Sequence, residues 1–104
     1  MKEKNLIVTP QQVNAWKKEH GPDSVFCYKT KDNVTGYFLK PDRKIIAFAT
    51  GSSKGDSMRF KEILAENCWL GGDDRIIRED KYFLGLSQCI LDLVEIVEGE
   101  LVKA

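Results

Sequence analysis

The sequence predicts a small α+β domain, in which an antiparallel β-hairpin packs against about four α-helices and the last helix is apolar and central. The chain has 104 residues, of which 42% are apolar, and this suits one compact core. β-Branched and aromatic residues are dense in residues 24–40, which favours strands. Apolar residues recur at helical spacing in residues 9–20 and in residues 42–98. Residues 1–5 are expected to be a flexible N-terminus.

The first helix is predicted from Pro10 to about His20. The hydroxyl of Thr9 can accept a hydrogen bond from an early backbone N–H, and proline is favoured at the first helical position. Gly21 and the proline after it are typical of a helix end. Trp16 is interpreted as a core anchor, and His20, the only histidine, as a cation that opposes the helix dipole.

A β-hairpin is predicted next, with strands over Ser24–Thr30 and Thr35–Lys40. Between them, Asp32 or Asn33 can adopt the left-handed conformation that a tight reversal requires. Two strands alone are marginal in water, so a further element must cover them. Leu6-Ile7-Val8 is a candidate for a third strand.

Two helices are predicted to follow the hairpin. Asp42 is a natural cap for the first, and Asp56 or Ser57 for the second, which is expected to run through Trp69. The glycine- and serine-rich residues 50–55 between them resemble a phosphate loop only superficially, because Asp56 stands where such a loop needs its lysine. We interpret residues 50–55 as a linker between helices.

The last helix is predicted from Glu79 or Asp80 to about Val97. Its apolar residues alternate at spacings of three and four, which is typical of a packing seam. These residues are Phe83, Leu86, Ile90, Leu93 and Val97. β-Branched residues are also dense in residues 94–104, so a terminal hairpin is an open alternative to the helix there.

No residue pattern indicates catalysis or metal binding. Cys27, Cys68 and Cys89 are widely spaced, which favours reduced core thiols over disulfides or a zinc site. The acidic run Asp73–Asp80 contains two arginines among its four carboxylates and lacks the order of a calcium loop, so we expect a self-neutralising surface loop. His20 has no orienting partner at a recognisable spacing. We predict a non-enzymatic protein without catalytic, cofactor-binding or metal-binding residues.

The charge balance argues against nucleic acid as a partner. Lys and Arg number 16 and Asp and Glu number 16, so no net field gathers phosphates. Residues 1–52 hold nine cationic and five anionic side chains, whereas residues 53–104 hold seven and eleven, so the halves can pair within one chain or between copies. No apolar run approaches the roughly 20 residues of a membrane span or the about 7–15 of a secretory signal. A cytoplasmic protein without a membrane partner is expected.

Two stretches resemble the tail assembly chaperones of long-tailed phages and prophages. In Tyr37–Lys44, YFLKPDRK, a strand runs through a basic residue and a proline into a helix. In Phe60–Asp73, FKEILAENCWLGGD, a helix ends before a glycine-rich acidic loop. The order of elements over about residues 9–98 is also similar to that of a short, prophage-encoded member of this family.

The resemblance implies a non-enzymatic protein in the cytoplasm of a bacterial host. It would hold an aggregation-prone tape measure protein through an apolar helical surface until the tail tube forms around it. The residues predicted to bind such a partner are Trp69, Leu70, Leu91, Val94 and Ile96. The alternative is a small homodimeric scaffold or regulatory protein that associates through its C-terminal helix.

Overall fold

The structure, a computed structural model, describes residues 8–104 and has the predicted α+β architecture. Its elements in chain order are α1 (Pro10–His20), β1 (Val25–Lys29), β2 (Thr35–Leu39), α2 (Arg43–Ser53), α3 (Ser57–Cys68), β3 (Trp69–Gly72), α4 (Arg75–Arg78), α5 (Asp80–Ser87) and a 3₁₀ helix (Ile90–Leu93). The predicted flexible residues 1–5 lie outside the described part, as does most of the predicted strand Leu6-Ile7-Val8. Val8 itself is not in a strand.

Three of the helices begin at the N-cap residues that the sequence predicts. Thr9 accepts a hydrogen bond from the backbone N–H of Gln12, 3.2 Å away, at the start of α1. Asp42 and Asp56 each accept from the N–H three residues later at 3.0 Å, at the starts of α2 and α3. Each side chain satisfies one N–H that lacks a partner within its helix, which is why these boundaries are readable from the sequence.

The predicted hairpin forms from β1 and β2, and its turn uses the expected residue. Val25 pairs with Leu39 and Lys29 with Thr35. Asn33 has a φ of 69°, the left-handed conformation that its short polar side chain tolerates. The Thr30 hydroxyl accepts from the N–H of Val34 at 2.9 Å and closes the turn.

The structure adds β3, which the sequence did not predict. Trp69 was expected to continue the helix, but the chain turns extended after Cys68 and pairs antiparallel with β2, giving the sheet order β1-β2-β3. Gly72 makes this possible: its φ is +122°, and a Cβ there would lie 2.6 Å from the carbonyl oxygen of Thr35. Two glycines in four residues favour a loop over a strand, so the local residue preferences do not predict β3.

The sheet is covered on both faces. Tyr37 and Phe38 are adjacent in β2, so their side chains point to opposite faces. On one face Trp16 of α1 packs against Tyr37, with ring centroids 5.8 Å apart. The other face meets the core, in which the largest fully buried side chains are Phe38, Leu64, Ile76, Ile90 and Cys68. No residue of α1 is fully buried, so this helix is an outer layer.

The prediction of a long last helix is wrong for its C-terminal half. Helix α5 ends at Ser87, Ile90–Leu93 form a 3₁₀ helix, and residues 94–104 form neither a helix nor a hairpin. Ile90 and Leu93 are nevertheless buried as the seam requires. A spacing of three residues also matches one 3₁₀ turn, so this part of the seam fits both kinds of helix. Val97, the last predicted seam residue, is 91% exposed.

Candidate protein-interaction surface

The cysteines and the histidine do not form a reactive centre in the described structure. Burial raises the pKa of the Cys68 thiol to about 11 and also raises the pKa of Cys89. A thiol that stays protonated at neutral pH is the opposite of an activated nucleophile. Cys27 is exposed, so the prediction of a core thiol is wrong there. His20 lies at the end of α1, where its Nε2 is 3.8 Å from a carboxylate oxygen of Glu19.

Two of the four carboxylates of the acidic run, Asp73 and Asp74, form ion pairs with its two arginines, so the predicted self-neutralisation is seen in part. Asp73 accepts from the Nη2 of Arg75 at 2.6 Å, and Asp74 accepts from the Nη2 of Arg78 at 3.0 Å. The Arg75 guanidinium lowers the pKa of Asp73. Residues 75–78 form the short helix α4 rather than a plain loop. Among residues 8–104, no group of three or more His, Cys, Asp or Glu residues is arranged to hold a metal ion.

An apolar concavity opens at the β1 edge of the sheet, and we call it the edge groove. It is a cavity of about 160 Å³ between β1 and the segment from α5 through the 3₁₀ helix. Its main apolar lining residues are Phe26, Tyr28, Phe38, Leu86, Ile90 and Leu93. Phe26 is 38% exposed, although its neighbours in the groove belong to the core. The edge groove is therefore an opening of the core onto the surface.

Further exposed apolar side chains lie on the elements that form this groove and beyond them. Leu84 in α5 and Leu91 in the 3₁₀ helix are each about half exposed. Residues 94–104, which we call the C-terminal segment, expose Ile96, Val97, Leu101 and Val102. The segment is held at its start, where the Nζ of Lys40 donates to Glu95 Oε1 at 2.8 Å.

The five predicted partner-binding residues fall in two separate places. Leu91 and Ile96 are exposed near the edge groove and in the C-terminal segment, and Val94 is half-buried against the core. Trp69 and Leu70 lie in β3, at the other edge of the sheet. Trp69 packs edge-on against Phe38, with ring centroids 5.3 Å apart. The structure thus gives Trp69 a packing role and does not bring the two groups together.

Sequence reasoning missed Phe26, which opens the groove to solvent. A strand with alternating aromatic residues is visible in the sequence, but its place at the edge of the sheet is not. The exposure of Phe48 in α2 and of Met58 in α3 was also missed; Phe48 lies at the spacing of a buried helix face.

No family model, curated protein or solved structure matches this chain. No helix formed by residues 8–104 has the length and apolar character needed to cross a membrane.

Proposed function

We propose that this chain is a non-enzymatic binding protein that holds apolar helical segments of another polypeptide. The observation that carries the proposal is the edge groove, where Phe26 is 38% exposed above fully buried Phe38 and Ile90. At about 160 Å³, the groove is smaller than the roughly 300–1,000 Å³ of typical small-molecule sites. It suits a single apolar side chain of a partner better than a metabolite.

Leu84 and Leu91 are exposed on the two elements that line this groove, and we propose them as the apolar surface beside it. A client helix with apolar residues at i, i+3 and i+4 would insert one side chain and lay its neighbours against these leucines. Full burial of one leucine-sized side chain is worth about 1.5–3 kcal/mol, whereas association costs about 4 kcal/mol or more, so several such contacts are needed together and their net binding is weak and reversible. Reversibility is what a holding protein needs, since its client must be released.

The resemblance to phage tail assembly chaperones supports a specific client. By that resemblance, we propose a tape measure protein encoded by the same phage or prophage as the client, and the cytoplasm of the bacterial host as the site of action. The motifs Tyr37–Lys44 and Phe60–Asp73 that carry the resemblance form the β2–α2 junction and the α3–β3 junction. Phe38 of the first stretch lines the groove, and Leu64 and Cys68 of the second belong to the core.

The test is coexpression with a long helical protein encoded next to this chain. Leu91→Asp places a charge where the client would pack, so we expect the soluble fraction of the client and its co-purification to fall at least severalfold. Phe48→Asp is the matched control, because Phe48 is similarly exposed but lies on α2, away from the groove. Equal effects of the two variants, or a client that is no more soluble with the unaltered chain, would contradict the proposal.

A further inference from the structure

Strand β1 has one unpaired side in the described structure. It pairs with β2, and within residues 8–104 no strand lies on its other side. The carbonyl of Ser24 accepts from Lys40, and the N–H of Thr30 donates to Val34, so these residues bond toward β2. Hydrogen-bonding direction alternates along an antiparallel strand. Val25, Cys27 and Lys29 therefore direct their backbone N–H and C=O groups outward, where another strand can bond to them.

The C-terminal segment has the composition of such a strand. It contains β-branched Val94, Ile96, Val97 and Val102, has no proline, and is without regular structure. Ile96 is 74% exposed and Leu101 is fully exposed, so most of their apolar surface is not packed in the described chain. The nine residues from Ile96 to Ala104 span roughly 30 Å when extended, more than the roughly 17 Å of a five-residue strand such as β1.

The middle of the segment matches the β1 edge in polarity. Side chains alternate along a strand, so Val97 and Leu101 would lie on one face and Glu98 and Glu100 on the other, where Ile96 and Val102 flank the glutamates. The β1 edge likewise has an apolar face and a polar face. Phe26 lines the apolar edge groove on the core face, whereas Lys29 has the opposite orientation.

Further positive charge lies at the turn end of β1. Lys29 and Lys31 lie there beside the carboxylate of Asp32, and Lys81 of α5 lies across the same depression on the core side. The C-terminal segment carries three glutamates and one lysine. Two glutamates on the face opposite the groove would thus lie on the same side of the sheet as Lys29, which favours this pairing over pairing between two copies of the segment.

The path of the chain directs the segment to a second copy. Its start is fixed by the ion pair of Glu95 with Lys40, and Lys40 also bonds to Ser24, immediately before β1. Asp92 and Leu93 line the groove along β1, and the chain then reaches Lys40 at the start of β1, so the segment would have to reverse direction to cover its own β1. The segment instead remains exposed.

We infer that the C-terminal segment of one copy adds as a fourth strand to the β1 edge of a second copy. Reciprocal exchange of two segments gives a closed, symmetric dimer. This inference does not rest on the proposed client binding, although a client and an exchanged segment would both contact the edge groove. The sequence predicted a dimer interface formed by a C-terminal helix, whereas the inferred interface is formed by a strand.

Sedimentation velocity of the full chain in reducing buffer tests the inference. We expect a monomer–dimer equilibrium that is lost in two variants. Cys27→Pro removes an outward N–H but no bond to β2, and the paired substitutions Val97→Asp and Leu101→Asp remove the apolar face of the segment. Cys27→Ala keeps the N–H and is the matched control, expected to dimerise like the unaltered chain.

Mixing the two defective variants separates exchange between copies from other interfaces. The Cys27→Pro chain keeps its segment and the doubly substituted chain keeps its edge, so we expect the mixture to form a 1:1 heterodimer with one strand exchange. Circular dichroism checks that each variant is folded, and Lys29→Glu with Lys31→Glu is the second edge variant if Cys27→Pro is unfolded. A chain that is monomeric at every concentration, or a dimer insensitive to both sets of substitutions, would overturn the inference.

Discussion

Phe26 and Phe38 lie opposite each other in the strand pair β1 and β2, yet their side chains differ in exposure to solvent. They are register partners, and both side chains lie on the core face of the sheet. Phe38 is 1% exposed and Phe26 is 38% exposed. The difference is the position of the strand: β2 is central, with β3 on its other side, whereas β1 is at the edge.

This pair shows how one fold separates stability from binding. Phe38 contacts Trp69 of β3, so it has an aromatic neighbour on the side where Phe26 has an opening. Apolar area that is already buried stabilises the fold, and apolar area that is still exposed is available for a partner. The same residue type in the same strand pair therefore serves the core at one position and the surface at the other.

The largest expected effect comes from Phe38→Ala. Removal of a fully buried phenylalanine leaves a cavity and costs about 3–5 kcal/mol in the free energy of unfolding. A domain of this size has roughly 5–15 kcal/mol in total, so the variant should be close to unfolding. Urea denaturation followed by circular dichroism measures this change. A loss below about 1 kcal/mol would show that the central strand is not packed as described.

Gly72→Ala tests the other edge of the sheet, where β3 covers β2. The new Cβ would lie 2.6 Å from the carbonyl oxygen of Thr35, at a φ of +122° that side chains rarely adopt. We expect a loss of about 1–3 kcal/mol in the free energy of unfolding, with β3 displaced from β2.

Gly51→Ala is the matched control for this substitution. Gly51 lies inside α2, and a Cβ there would meet nothing within 4 Å. Replacing a helix-interior glycine by alanine stabilises by roughly 0.5–1 kcal/mol, so the same chemical change should act in opposite directions at the two positions. A neutral Gly72→Ala would mean that β3 is not held against β2 in solution.

The features of the fold that the sequence predicts are those set by local chemistry. Caps at Thr9, Asp42 and Asp56 and the turn at Asn33 were predicted because each depends on one side chain and its nearest backbone groups. Local chemistry of this kind does not depend on the rest of the fold.

Features that depend on distant contacts were missed. Strand β3 exists because Gly72 allows close approach to Thr35, far away in the sequence. The exposure of Phe26 depends on the order of strands, which no local pattern encodes. Of the predicted partner-binding residues, Leu91 and Ile96 are exposed, but Trp69 is partly covered by a β2 residue. Their role in binding stays a prediction.

The smallest effect on stability is expected from Phe26→Ala, and this variant is the direct counterpart of Phe38→Ala. Phe26 is already partly in water, so its truncation should cost about 1 kcal/mol or less, within the range of a cross-strand contact, while client retention and dimerisation both fall. Urea denaturation measures the stability, sedimentation velocity the dimerisation, and coexpression with the client its retention. If Phe26→Ala cost as much stability as Phe38→Ala, the edge groove would be filled in solution, and a concentration-dependent cost would identify a second copy as what fills it.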